Sequence, residues 1–170
     1  MEALWAAQQE DDTSLCLVKP RRINRVFVRT LPDSARGEWE TQREAALEQR
    51  NLFVDAEAKT KDLRFMPVRY CIDFDCHGDG CKGHKMSVLD WGIYVLSRRQ
   101  YARKGRSGAE QDVINKLNEV TDLTKRDTYF FLGNTLAHPK SFMIVGFYWP
   151  PLKKAKDLDE PKQPGLPGIS

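Results

Sequence analysis

Between residues 65 and 75 the chain alternates cleanly. Met66, Val68, Tyr70, Ile72 and Phe74 fall on one parity and are all apolar, whereas Phe65, Pro67, Arg69, Cys71, Asp73 and Asp75 occupy the other. A period of two with one uniformly apolar set predicts a half-buried strand. It runs straight into Cys76. Residues 15–30 also read as extended, with Pro20 separating Leu15–Val18 from a second run in which Ile23, Val26 and Val28 are β-formers. Tyr129–Leu132 is a short apolar run, and Phe142–Trp149 is a longer one, ended by Pro150 and Pro151 and expected to be the central strand. The predicted strands therefore lie near 23–30, 66–75, 127–133 and 141–149.

Helical spacing takes over after residue 87. Val88, Leu89, Trp91, Ile93, Val95 and Leu96 form a broad apolar face, with Ser87 as the expected N-cap, Asp90 at N3 and Gly105 as the stop. A second helix is expected over 108–122, with Val113, Leu117 and Val120 on one stripe. Residues 38–50 predict a thinner, mostly solvated helix around Trp39, Ala46 and Leu47, after a Pro32-Asp33-Ser34 turn. The fold class is α+β: a mixed or antiparallel sheet packed by two main helices. Residues 1–14 read as a flexible lead-in, 15–151 as one domain, and 152–170 as a disordered Lys- and Pro-rich tail. No internal repeat is present.

Composition changes this picture only at the margins. Of 170 residues, 41% are hydrophobic, enough for a real core. The net charge of +3 is too small to argue by itself for a nucleic-acid partner, so such a reading needs a local basic patch. No apolar run is long enough to span a membrane. Met1–Gln9 lacks the basic-then-apolar order of a secretory leader. Three of the four cysteines, Cys71, Cys76 and Cys81, cluster closely, which suits metal binding in a reducing compartment better than a disulfide framework. The expected location is cytoplasmic.

The segment Cys76-His77-Gly78-Asp79-Gly80-Cys81-Lys82-Gly83-His84 carries the clearest chemistry. Two thiolates and an imidazole in this tight, glycine-rich spacing can close on one ion, and zinc fits that donor set better than magnesium or calcium. The ordinary alternative is a pair of buried thiols and a surface histidine. A fourth zinc ligand has local candidates in Asp75, His77 and Asp79 and a distant one in His138; neighbours such as Cys76 and His77 rarely reach one metal together, which favours His138. With four N/S ligands the site is expected to be structural rather than catalytic.

Basic residues are locally dense. Arg98, Arg99, Arg103, Lys104 and Arg106 surround Tyr101, Lys82 and Lys85 flank the metal loop, and the early strand adds Lys19, Arg21, Arg22, Arg25 and Arg29. Converged, they would track phosphates with an aromatic for stacking; dispersed, they are a solvated helix end. Two nuclease patterns are also open. Pro32-Asp33 with Glu57-Ala58-Lys59 spells a loose restriction-type motif, and His84, Asp90, Asn134 and His138 are a possible metal set.

Taken together, Tyr70–Cys76, Cys81–His84, Val88–Trp91, Phe130–Asn134, His138-Pro139 and Ile144–Pro151 resemble the C-terminal half of an uncharacterised bacterial family. The resemblance covers roughly residues 15–151. It implies a C-x4-C-x-G-H metal loop, a D-W helix and a His-Pro loop, preceded in longer members by OB-like small β-barrels. The chain departs from the pattern in lacking that preceding region, as in a short member, a truncated product or half of a split system, and in having Gly92 where an acidic residue is expected. The functional expectation is a zinc-stabilised nucleic-acid-binding module. The alternatives are a metal-dependent nuclease or hydrolase, and a protein-interaction module pairing with a separate OB-like protein.

Overall fold

The computed structural model describes residues 14–48, 64–135 and 138–152. The expected lead-in, the tail, and Glu57 and Lys59 of the restriction-type motif lie outside these residues, apart from Ser14 and Leu152. Along the chain come β1 (Leu15–Val18), β2 (Pro20–Thr30), α1 (Ser34–Glu48), β3 (Val68–Cys76), β4 (His84–Ser87), α2 (Trp91–Val120), β5 (Tyr129–Thr135) and β6 (His138–Tyr148). This is the α+β class, built as two antiparallel three-stranded sheets, β1-β5-β6 and β2-β3-β4.

The two sheets are joined on both sides. Only Lys19 separates β1 from β2. On the opposite side Val88, just past β4, makes a parallel bridge to Ile144, and the Leu89 N–H donates to the Ile144 carbonyl at 2.7 Å. The strands therefore run β2-β3-β4-β6-β5-β1 and return to β2 through one bent segment. Phe142–Trp149 was expected at the centre; instead β5 is central in its sheet and β6 is the strand that meets β4.

Alternation in β3 decides what the interior holds. Tyr70, Ile72 and Phe74 point inward opposite Val28, Val26 and Ile23 of β2. A register shift between Ile23 and Arg25 inserts Asn24 as an extra residue, so Ile23 and Val26, three apart, both pack against the core. The Phe74 ring meets Phe130 of β5 edge-on at 4.9 Å, and Phe130 meets Phe147 of β6 at 5.6 Å. Ile93, Val113 and Leu117 of α2 complete this cluster.

One expectation about the helices needs adjusting. Ser87 belongs to β4, and Asp90 is the N-cap of α2, its Oδ1 accepting from the Ile93 N–H at 2.8 Å. The reason is competition: residues 84–88 are held as a strand by pairing to β3 and by the Val88 bridge. The expected pair of helices is present within α2, the two meeting at a kink at Gly105, whose φ of 71° lies in the left-handed region that glycine tolerates. Replacing the fully buried Leu117 with Ala should cost about 2–5 kcal/mol, whereas Leu17→Ala, at a residue 54% exposed, should stay within about 0.5 kcal/mol. Urea unfolding followed by circular dichroism measures both, and comparable losses would contradict this packing.

Candidate metal centre and basic groove

The β3–β4 hairpin delivers three potential ligands to one point. Cys76 ends β3, Cys81 lies in the connecting loop and His84 opens β4 opposite Phe74. The His84 Nε2 lies 3.3 Å from the Cys76 sulfur and 3.4 Å from the Cys81 sulfur. Ligands of one tetrahedral ion with bonds near 2.3 and 2.0 Å stand about 3.5 Å apart, so the spacing suits a shared metal. Among the described residues this is the one Cys/His/Asp/Glu group close enough to hold an ion.

The loop backbone is shaped around the sulfurs. The N–H groups of Cys76 and Gly83 each point at the Cys81 sulfur from 3.4 Å, and these two bonds hold its thiol below the ordinary value. Gly83 has a φ of 85°, a conformation that side chains other than glycine's strain to adopt. Burial lowers the His84 imidazole. Both shifts favour the deprotonated forms that bind metals. Beside the loop, the Asn24 amide and the Arg22 guanidinium, 2.8 Å away, hold the Asp75 carboxyl below the usual carboxylate range.

His138 is placed elsewhere: it opens β6 opposite Thr135, outside the three-ligand group. The residues of the second nuclease pattern are engaged at separate places. His84 faces the thiols, Asp90 caps α2, and the Asn134 amide donates to the Pro139 carbonyl. Asp33 occupies the turn before α1, as its sequence context suggests.

The structure separates the basic residues singled out in the sequence. Lys82 is exposed in the metal loop. On α2, Lys104 pairs with Asp112 at 2.6 Å, and Arg106 pairs with Glu110 at 2.7 Å while donating to the Thr30 hydroxyl. Arg99 and Arg103 are exposed, and Arg98 and Tyr101 are half-buried. Lys85 instead joins a different group on the outer face of β2-β3-β4. There Arg29 stands opposite Arg69, Phe27 opposite Cys71, and Arg25 opposite Asp73, with Lys85 on the far side of Asp73. The Arg25 guanidinium lies 4.6 Å from the Phe27 ring centre. A groove of about 370 Å³ runs over this face, lined by Arg25, Arg29, Arg69 and Lys85 and by no carboxylate.

A family model matches residues 1–164. The chain belongs to that family, described as Domain of unknown function (DUF8757). No curated protein and no solved structure matched the chain. Membership agrees with the expectation of an uncharacterised family and assigns no chemistry, so the site rests on its own geometry.

Sequence reading located the metal loop but not the groove. Arg69 lay in the polar set of the best-patterned strand, and the signal was its parity with Arg25, Phe27 and Arg29 once β2 and β3 are paired. Titrating the protein with Co²⁺ should give a thiolate-to-metal charge-transfer band that saturates at one equivalent and vanishes in Cys81→Ser. The sign with pH follows from the lowered thiol and imidazole. Their deprotonated forms are available above these lowered values and are lost as pH falls through them, so Co²⁺ affinity should fall on acidification. A pH-independent affinity would exclude these ligands.

Proposed function

We propose that the chain is a zinc-stabilised nucleic-acid-binding module of the bacterial cytoplasm. One observation carries the reading. Arg29 and Arg69 stand directly opposite each other on an exposed face, with no ion-pair partner among the described residues. Like charges so placed destabilise a strand pair. A polyanion seated between them removes that repulsion, and the groove around them adds Lys85 and the Asp73-paired Arg25.

The strand order adds support by fold analogy. If β1 and β2 are taken as one bent strand, the five strands and the helix between the third and fourth have the connectivity of OB-type barrels. Such barrels bind oligonucleotides and oligosaccharides on the face of their second and third strands. Here that face is β3 and β4, where the groove lies. On this reading a barrel of OB type is formed by the chain's own strands, distinct from the preceding OB-like region that the family resemblance implies for longer members.

Zinc is the ion this reading places on Cys76, Cys81 and His84, because two thiolates and an imidazole match its preferences. Its role is to clamp the β3–β4 hairpin and so fix the register of the groove's centre. We assign the fourth position to the exposed Asp79 of the same loop, or to solvent, in preference to His138. Elemental analysis should find about one zinc per chain, retained in His138→Ala and lost in Cys81→Ser; loss in His138→Ala would restore His138 as the ligand.

The nucleic-acid reading is tested with a fluorescent oligonucleotide. Arg29→Glu with Arg69→Glu should weaken binding more than about tenfold and lower the log–log salt slope by about two. The Arg98, Arg99 and Arg103 triple change to Gln should have a smaller effect. Unchanged binding in the double variant would sink the proposal.

A second reading has its own observation. Leu15, Leu17, Phe131 and Val145 are 65, 54, 44 and 37% exposed on the outer face of β1-β5-β6. Added to Gly133, a Cβ would stand 3.2 Å from Leu15 and 3.3 Å from Val145, so these side chains close over the glycine as one patch. Such a face favours a protein-interaction module, which predicts a stable complex without nucleic-acid affinity.

A further inference from the structure

At the end of β3 away from the metal loop, a second cavity of about 410 Å³ opens between α1 and the start of α2. Five rings line it: Trp39 of α1, Phe65 before β3, Tyr70 of β3, and Trp91 and Tyr94 of α2. The walls are fixed to one another. Tyr94 Oη donates to the Arg64 carbonyl at 3.1 Å and accepts from the Arg64 N–H at 2.9 Å. The Tyr70 and Ser97 hydroxyls are hydrogen-bonded at 2.9 Å, and Trp39 packs against Phe65. Trp91 is stacked on Tyr94 with ring centres 5.2 Å apart and yet remains 63% exposed, so one of its faces is open to a further ring.

Arg69 lines both this cavity and the cationic groove. A ligand that fills both must therefore join an anionic backbone to a planar apolar group. Resting on the nucleic-acid reading above, we propose that this cavity takes an unpaired nucleobase and that the groove carries a single strand. Phosphates lie along Arg29, Arg69 and Lys85 while one base turns past Arg69 to stack on Trp91. A base held in a duplex is stacked on both faces and paired at its edge, so it cannot enter. The cavity thereby selects strand state, whereas the groove charge alone does not.

The test compares a labelled oligothymidylate with the same strand in a duplex, at matched low salt, by fluorescence anisotropy. The wild type should bind the single strand at least about tenfold more tightly, and Trp91→Ala should remove about that factor for the strand while leaving duplex binding unchanged. Trp91→Phe, which keeps a stacking ring, should recover most of the loss. Equal affinity for strand and duplex in the wild type overturns the cavity assignment and leaves the groove reading standing. So does a Trp91→Ala variant that keeps the wild-type melting temperature and its strand affinity. Absence of binding to either form overturns both. The strand-to-duplex ratio is a property of the wild type, so the inference stays falsifiable even if Trp91→Ala does not fold.

Discussion

The edge-to-face contact of Phe74 with Phe130 is where the two sheets become one interior. Both rings are fully buried, each worth about 1.5–3 kcal/mol of burial, with roughly 0.5–1.5 kcal/mol more from the ring geometry. Phe74 belongs to the strand that ends in Cys76, and Phe130 to the strand that pairs with β1. Once these rings meet, β3 is fixed relative to β5, the bend at Lys19 is required, and Val88 lies against Ile144. That closure positions the metal group, the groove and the aromatic cavity among the described residues.

β3 connects the sites because a strand has two faces and two ends. Its inward residues build the core. Its outward residues, Arg69 above all, belong to the groove. One end carries Cys76 into the Cys76–Cys81–His84 group, and the other opens at Val68 and Tyr70 onto the aromatic cavity. A clamp at the hairpin end of β3 therefore bears on the whole face. Holding Cys76 and His84 together fixes the β3–β4 register, and a slip of one residue would turn Arg69, Cys71 and Asp73 toward the core. The division of charge follows the same logic. Asp73 and Asp75 are answered by Arg25, Arg22 and Asn24 close to the metal loop, while Arg29 and Arg69 at the other end are left facing each other.

Local patterning made much of this legible. The alternation of 66–74 marks β3, the apolar run near 142–148 marks β6, Gly105 marks the break in α2, and the Cys-x4-Cys-x2-His spacing marks the metal group. Each is a short-range signal, written in residues that stay neighbours after folding. The misses share a cause. Ser87 has the look of a helix cap, but the residues around it are claimed by pairing to Cys71 and Tyr70, some sixteen positions upstream. β4 has only four residues, too few for the alternation of Met86 with Val88 just beyond it to stand out from the glycine-rich loop before it. The basic run at 98–106 drew attention by density, yet Lys104 and Arg106 are answered by acids one or two turns further along the helix.

By itself, then, the sequence determined the α+β class, the principal strands and helices and the three metal-competent side chains, because those depend on periodicity and on spacing within a single turn or hairpin. Tertiary structure alone decided the closed strand order, the separation of His138 from the thiols, the opposed Arg29 and Arg69, and the place of Arg69 in the lining of both groove and aromatic cavity. These depend on which strands pair and in what register. Register is set by burying Phe74, Phe130 and their neighbours together, a property of the assembled core that no single stretch of residues contains.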